Sequence, residues 1–365
     1  MTPEELRASI PALDGGSYFN AGASGPSPRR VLDATCAAVR RHETEAPTGD
    51  GCYPVAFDAF EETRERFASF FDASPSELAL THSTADGIAR VAASIDWEPG
   101  DVVVRTDLEH SAGILPWWNL REQGVDVRVL ETEDGRVDRE AYAEAVADAR
   151  LVCFTSITWT HGTRWPVADL VDIAHDHGAE VLVDAVQSVG QTHVDLDAWN
   201  AEYVVGACHK WLLGPWGAGF LYVREDVDTA PVQVGYRSVE EVSSPDPELK
   251  SDAARFEVGT TNVGPYAGAV AAMDLHEELG TERVEGRIHD LAGRLADGLG
   301  DRVLGPRNPE SGLVAFSADD EDPEELVERL AAEDLYIRSL PSGDVRASVH
   351  VYNTADEVDA LLAAL

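Results

Sequence analysis

The chain has 365 residues, 44% of them hydrophobic, enough for one large domain with an appendage or for two domains. It carries 28 Lys+Arg against 67 Asp+Glu, a net charge of -39, and so lacks the basic face that nucleic-acid or anionic-membrane binding requires. The acids are spread along the whole chain as a solvated surface, and their self-repulsion is screened in concentrated salt; a haloarchaeal cytoplasm is the expected setting.

The opening stretch "MTPEELRASI" is charged and has no long apolar region, so no signal peptide is expected. No apolar run approaches the roughly 20 residues of a membrane span. Cys36, Cys52, Cys153 and Cys208 form no CxxC pair, which points to a reduced, cytoplasmic protein. "NAGASGPSP", residues 20–28, is dense in Gly, Ser and Pro and reads as a loop. From about Glu77 to Val223 short apolar runs alternate with amphipathic stretches. "ELALTH", "DVVVRT", "VDVRVLE", "ARLVCFTSIT", "AEVLVDA", "AEYVVGA" and "GAGFLYVRED" are predicted strands; "TADGIARVAASI", "DREAYAEAVADA" and "PVADLVDIAHDHG" are predicted helices between them. This is the pattern of a mostly parallel α/β sheet covered on both faces. "SSPDPELKSDAARF" reads as a loop. After "GTTNVGPYAGAVAAM" one long helix is expected to run to about Gly298. "SGLVAFSA", "PEELVERLAAE", "LYIRSL", "VRASVHV" and "ADEVDALLAAL" then predict a smaller α/β unit. The expected division is a large unit over 16–262 and a small one over 263–365, with residues 1–15 folded back onto the small unit.

Ligands of open α/β sheets bind at the carboxyl ends of the strands, and four polar features fall there. The turn Thr81-His82-Ser83-Thr84 precedes a helix, which suits a phosphate but equally an ordinary helix cap by Ser83 or Thr84. Asp184 closes "EVLVDA", with Gln187 just beyond; it can cap a turn or face a ligand. His110 follows "DVVVRTDLE" and is structural or catalytic. Lys210 lies in "ACHKWLLGPWGAG" and is one of only two lysines, with Lys250. In an apolar pocket its ammonium is disfavoured and its amine becomes nucleophilic; the alternative is a lysine snorkelling over an apolar surface. An amine, an acid and an anion site on one sheet are the three groups pyridoxal phosphate needs. Cys208 and His209 are adjacent but have no partner motif, so no metal site is expected.

"YFNAGASGPSP", "VDAVQSVG", "CHKWLLGPWGAGFLYV", "RFEVGTTN" and "VRASVHVYNTADEVD", in this order, resemble the class V aminotransferases, pyridoxal-phosphate enzymes of fold type I. That group includes cysteine desulfurases, selenocysteine lyases, cyst(e)ine C–S lyases and isopenicillin-N-epimerase-like proteins. The resemblance spans nearly the whole chain. It implies a seven-stranded-type sheet with a smaller C-terminal domain, a pyridoxal 5'-phosphate cofactor and a small amino-acid substrate. It makes Lys210 the Schiff-base lysine and proton carrier, Asp184 the partner of the pyridine nitrogen, Gln187 the partner of the ring oxygen, and His110 the residue stacked on the ring. Ser83, Thr84 and Ala85 take the place of the family's Gly-Thr-Thr phosphate turn, with Ala207 and His209 beside it. Arg346 becomes the substrate-carboxylate clamp, with Asn20 on the substrate side. Thr260 becomes the residue that reaches the partner's phosphate, which implies a homodimer with active sites at the interface.

The departures bear on the reaction. The phosphate turn reads Ser-Thr-Ala, Ala207 stands where a serine is usual, and Trp159 or Thr160 lies near the place of an active-site asparagine. Desulfurases carry a mobile cysteine shortly before the segment "RAS"; here "LYIRSLPSGDVRAS" has none. The expected activity is therefore C–S lyase chemistry on cysteine, cystine or selenocysteine. Transamination or epimerisation of a small amino acid, desulfuration through an unusual thiol, and a non-catalytic scaffold of the same fold are the alternatives.

Overall fold

A computed structural model describes residues 1–365. In chain order the elements are α1 (Pro3–Ala8), β1 (Ser17–Tyr18), α2 (Arg29–Thr44), α3 (Cys52–Phe70), β2 (Leu78–Thr81), α4 (Thr84–Ser94), β3 (Val102–Thr106), α5 (Leu115–Leu120) and β4 (Asp126–Leu130). These are followed by α6 (Arg139–Val146), β5 (Leu151–Thr155), α7 (Val167–Asp176), β6 (Glu180–Asp184), α8 (Leu196–Trp199), β7 (Tyr203–Ala207) and β8 (Gly219–Val223). The C-terminal part comprises α9 (Val263–Leu279), α10 (Thr281–Leu299), β9 (Leu313–Phe316), α11 (Pro323–Ala331), β10 (Leu335–Tyr336), β11 (Arg338–Ser339), β12 (Val345–Ser348) and α12 (Ala355–Ala364). No helix is long and apolar enough to cross a membrane.

Seven strands form the main sheet in the order β2-β8-β7-β6-β5-β3-β4. Only β8 runs against its neighbours β2 and β7; the other pairings are parallel. The central apolar runs read from the sequence are buried on both faces, as a helix-covered parallel sheet demands: every residue of β5, β7 and β8 is buried, whereas the edge strand β4 is partly exposed. One face packs against α2, α3, α7 and α9 through Val31, Phe60, Phe67, Val171 and Tyr266. The other packs against α4 and α5 through Ile88, Val91 and Trp117. A second sheet, β11-β12-β9, has its own core with Leu295, Leu326, Leu330 and Val358.

Three features differ from the sequence reading. The helix expected to run unbroken to Gly298 is two helices, because Gly280 adopts φ +85° between them, the left-handed conformation that ends a helix at low cost only for glycine. Its first half, α9, which the sequence placed with the smaller unit, gives Val263, Tyr266, Ala269, Met273 and Leu275 to the larger core. Helices α2 and α3 were absent from that reading. Leu6, Ile10 and Leu13 of the N-terminal arm pack with Trp211 of the larger unit as well as with Val284, Ile288 and Val351, and β1, which follows the arm, pairs in parallel with β10.

Candidate active site

The carboxyl ends of β2, β3, β5, β6 and β7 open onto one cleft of about 330 Å³. Its wall contains Ser83, Thr84 and Ala85 after β2, His110 after β3, Trp159 after β5, Asp184 and Gln187 at β6, and His209 and Lys210 after β7. Trp216, Arg338 from the smaller sheet, Gly22, Ala23, Ala112 and Val186 also line it. Parallel strands place their ends side by side, so residues more than a hundred positions apart converge.

Each wall residue has a local cause. Ser83 caps α4 by accepting from the Asp86 N–H, so the cap reading holds; its own hydroxyl proton stays free. Thr84 Oγ1 is buried at the same helix end without a partner. An orphaned hydroxyl at a helix N-terminus fits an anion such as a phosphate. Asp86 in this first turn would oppose an anion, but Arg90 holds it through Nε and Nη2 at 2.8 and 2.9 Å and the His82 N–H at 2.9 Å.

Asp184 is buried at the end of β6, its Oδ1 accepting from the Val186 N–H at 2.9 Å and Oδ2 free of protein hydrogen bonds. Burial raises its carboxyl to about 6, against the Val186 N–H and the Lys210 charge. Lys210 is partly exposed through the cleft, yet its Nζ makes no hydrogen bond or ion pair. Burial pushes it down to about 8, with Arg346 and Arg338 adding to the fall and Asp184 opposing it. Both groups line the same cleft. Burial, then Lys210, brings the His209 imidazole down to about 4. Burial with Lys210, Arg338 and Arg346 lowers His110, whose ring meets Trp159 edge to face at 5.6 Å.

Gln187 is more committed than the sequence implies. Its Nε2 donates to the Gly22 carbonyl at 3.0 Å, and its Oε1 accepts from Trp211 Nε1 at 2.7 Å. One amide proton remains for a ligand. Ala207 is buried in β7 opposite Gly219 and does not line the cleft. Thr260 is exposed and away from this cleft, its hydroxyl 2.9 Å from Tyr236 Oη. Asn20 forms an isolated bridge with Ser348, and its Oδ1 is buried and unpaired.

Arg346 on β12 is fully buried. Nη1 donates to the Trp159 carbonyl at 2.6 Å, while Nε and Nη2 have no partner. A buried guanidinium with two open donors is costly and is matched to a planar carboxylate.

Sequence reasoning passed over several residues here. A side chain at Gly22 would meet Arg346 Nη2 at 2.9 Å and Leu313 Cδ2 at 2.5 Å, and one at Gly25 would meet the Lys210 carbonyl at 2.1 Å. The glycines of "NAGASG" therefore allow this loop to lie against both cationic residues; their density was the available signal. Glu109 is buried next to His110, its Oε1 accepting from Thr106 Oγ1 at 2.6 Å and the Thr155 N–H at 3.3 Å; burial raises it to about 8. Arg338 and Trp216 gave no signal beyond their residue type.

Comparison with known proteins agrees with this geometry. The Aminotransferase class-V family model matches residues 17–361. A probable cysteine desulfurase of Methanothermobacter thermautotrophicus is 34% identical, over 99% of this chain and 96% of its own. The apo cysteine desulfurase of Thermococcus onnurineus NA1 superposes with a TM-score of 0.92 at 29% identity, covering 100% of this chain and 97% of that one. The cystine C–S lyase C-DES, in complex with its product cysteine persulfide, gives 0.90 at 27% identity, covering 97% and 98%. A C-DES variant with glycine covalently linked to its pyridoxal-phosphate cofactor gives 0.91 at 27%, covering 98% of each chain.

Proposed function

The chain belongs to the class V aminotransferase family, and we propose that it is a pyridoxal-phosphate lyase that cleaves the C–S bond of a cysteine-type amino acid without a protein persulfide. The observation that carries the choice of reaction is the position of the thiols. Cys153 and Cys208 are buried in the sheet, and burial pushes Cys208 up to about 12. Cys36 lies on α2 and Cys52 at the start of α3, and no cysteine is among the fifteen residues around the cleft. Between β11 and β12 the chain makes only a tight turn, with the Leu340 N–H donating to Asp344 and the Gly343 N–H to Leu340.

Pyridoxal phosphate, when bound, supplies an electron sink for negative charge at the substrate α-carbon. The residues that would hold it are Thr84 and Ser83 for the phosphate, Asp184 for the ring nitrogen, Gln187 for the ring oxygen and Lys210 for the aldehyde. Arg346 orients the substrate carboxylate. Lys210, with its amine brought down to about 8, can take the α-proton near neutral pH. His110, held neutral, is placed to give or accept a proton at the departing group. The neighbouring apolar and aromatic wall keeps water away from the amine.

We further place the active unit as a homodimer in a reducing cytoplasm. Tyr53, Phe57 and Val242 are 60%, 43% and 63% exposed around a cavity of about 620 Å³ that Tyr236 also lines. Thr260 is tied to this face through Tyr236, so a second copy seated there would bring Thr260 toward a neighbouring cleft. All four cysteines are free thiols.

Product analysis tests the reaction. With cysteine or cystine in concentrated salt, pyruvate and ammonia are expected. Alanine together with a protein-bound persulfide would establish desulfuration and sink the lyase reading, whereas racemised substrate would mean epimerisation.

A further inference from the structure

Trp211 follows Lys210 in the chain but does not line the cleft. Its ring is buried, and contacts from the smaller unit fix it there. The His350 ring stacks on it, with centroids 5.7 Å apart and planes 12° from parallel, and is itself stacked on Tyr352 at 4.5 Å. His350 Nε2 donates to the Trp211 carbonyl at 2.9 Å, so the ring proton sits on Nε2, and Nδ1 has no partner. Burial, with His276 adding to the fall and the Trp211 carbonyl opposing it, brings this imidazole down to about 4. Gly312 closes the remaining side: a side chain there would meet Trp211 Cζ3 and Cη2 at 2.6 and 2.7 Å.

A ring held in this way has one side-chain polar atom to place. Trp211 Nε1 donates to Gln187 Oε1 at 2.7 Å. An indole nitrogen can only donate and a carbonyl can only accept. The Gln187 amide lies between that indole and the Gly22 carbonyl, to which Nε2 donates at 3.0 Å. Its oxygen is therefore turned to Trp211, and its second amide proton is the one left over. Gln191 ties the same groups together: Nε2 donates to the Gln187 carbonyl, and Oε1 accepts from the Gly312 N–H at 2.9 Å.

We propose that Trp211 is a positioning residue, clamped by His350 and Gly312 of the smaller unit, which orients the Gln187 amide so that its free proton serves the ring oxygen of the cofactor. The inference rests on the reading of the cleft as a pyridoxal-phosphate site. It makes the electronics of that site depend on how the smaller unit packs against the larger one.

A donor to a negative ring oxygen draws charge from it. The oxygen then holds less firmly the proton on the nitrogen that joins the cofactor to Lys210, and that proton leaves at lower pH. The test follows the absorbance of the holoenzyme against pH for the wild type, Trp211→Phe, Gln187→Met and the double variant. Gln187→Met should raise the midpoint by about one unit, the size of one lost hydrogen bond. Trp211→Phe keeps the stacked ring and loses only the N–H, so it should raise the midpoint by part of that shift. The double variant should match Gln187→Met, because Trp211 acts only through the amide. His350→Gln, which keeps a donor for the Trp211 carbonyl but removes the stacked ring, should move the midpoint in the same direction and serves if Trp211→Phe does not fold. An unmoved midpoint in Trp211→Phe, or in His350→Gln where that variant alone folds, overturns the inference. So does a Trp211→Phe shift that adds in full to that of Gln187→Met, and so does an unmoved midpoint in Gln187→Met; each leaves the cofactor reading standing. A wild type that develops no absorbance with added pyridoxal phosphate overturns both.

Discussion

Two clusters of buried charge in this molecule are treated in opposite ways. Below α3, Glu257 accepts from Arg64 at 2.8 Å, from Arg237, and from the Leu80 backbone at 2.8 Å, while Arg64 also donates to the Leu78 carbonyl and Arg237 covers the Phe60 ring. Both guanidiniums and the carboxylate are matched within the chain. In the cleft, Lys210, Asp184 and Arg338 line one cavity, with Arg346 buried behind it on the Trp159 carbonyl, and there is no ion pair among them. Burial costs both clusters several kcal/mol per ion. The first recovers it from its own partners and ties α3 to β2; the second leaves its groups open, which is useful only when a ligand completes them.

The most severe test of that contrast is Lys210→Ala. It should lower turnover by roughly 10⁴-fold, the upper range for losing an acid–base group, and leave the melting temperature within a few degrees, because no internal bond is lost. A large stability loss would mean that the amine is structural. Glu257→Ala should do the reverse. It strands the Arg237 guanidinium, while Arg64 keeps Glu61 and the Leu78 carbonyl, and should cost about 3–5 kcal/mol in denaturant unfolding, with kcat of the folded enzyme unchanged. Arg346→Met should raise KM by roughly 10–100-fold, as expected for a lost charged hydrogen bond of about 1.5–3 kcal/mol, and should not lower stability, since the guanidinium has two buried donors unmet. A stability loss there would place Arg346 with the matched cluster.

The mildest effect is on pH dependence. Lys210 is depressed to about 8, so its amine loses its proton as pH rises through that value. Uptake of pyridoxal phosphate, followed by absorbance, should accelerate between about pH 7 and 9. Asp184 is raised to about 6, so retention of the cofactor should weaken as pH falls through 6. A flat uptake profile from pH 7 to 9 would show that Lys210 is not desolvated.

The two clusters also differed in how readable they were. Lys210 stood out because lysine is almost unused in the chain, and Asp184, Ser83 and His110 stood out because each ends an apolar run. Strand ends are a local signal, and the parallel sheet converts them into one site. Arg64, Arg237 and Glu257 lie far apart in sequence and meet only through packing, so nothing local marks them. Helices α2 and α3 lay outside the alternating region that guided the reading. The break at Gly280 was hidden because apolar periodicity continues on both sides; only the residue's conformation reveals it.

The tight turn between β11 and β12 carries a further consequence. A connection closed by its own backbone hydrogen bonds has no reach. Where a long thiol-bearing arm would carry sulfur outward to a docked acceptor, the proposed lyase chemistry would release its product from this cleft as a free solute. The flux to any later step would then depend on diffusion and product concentration.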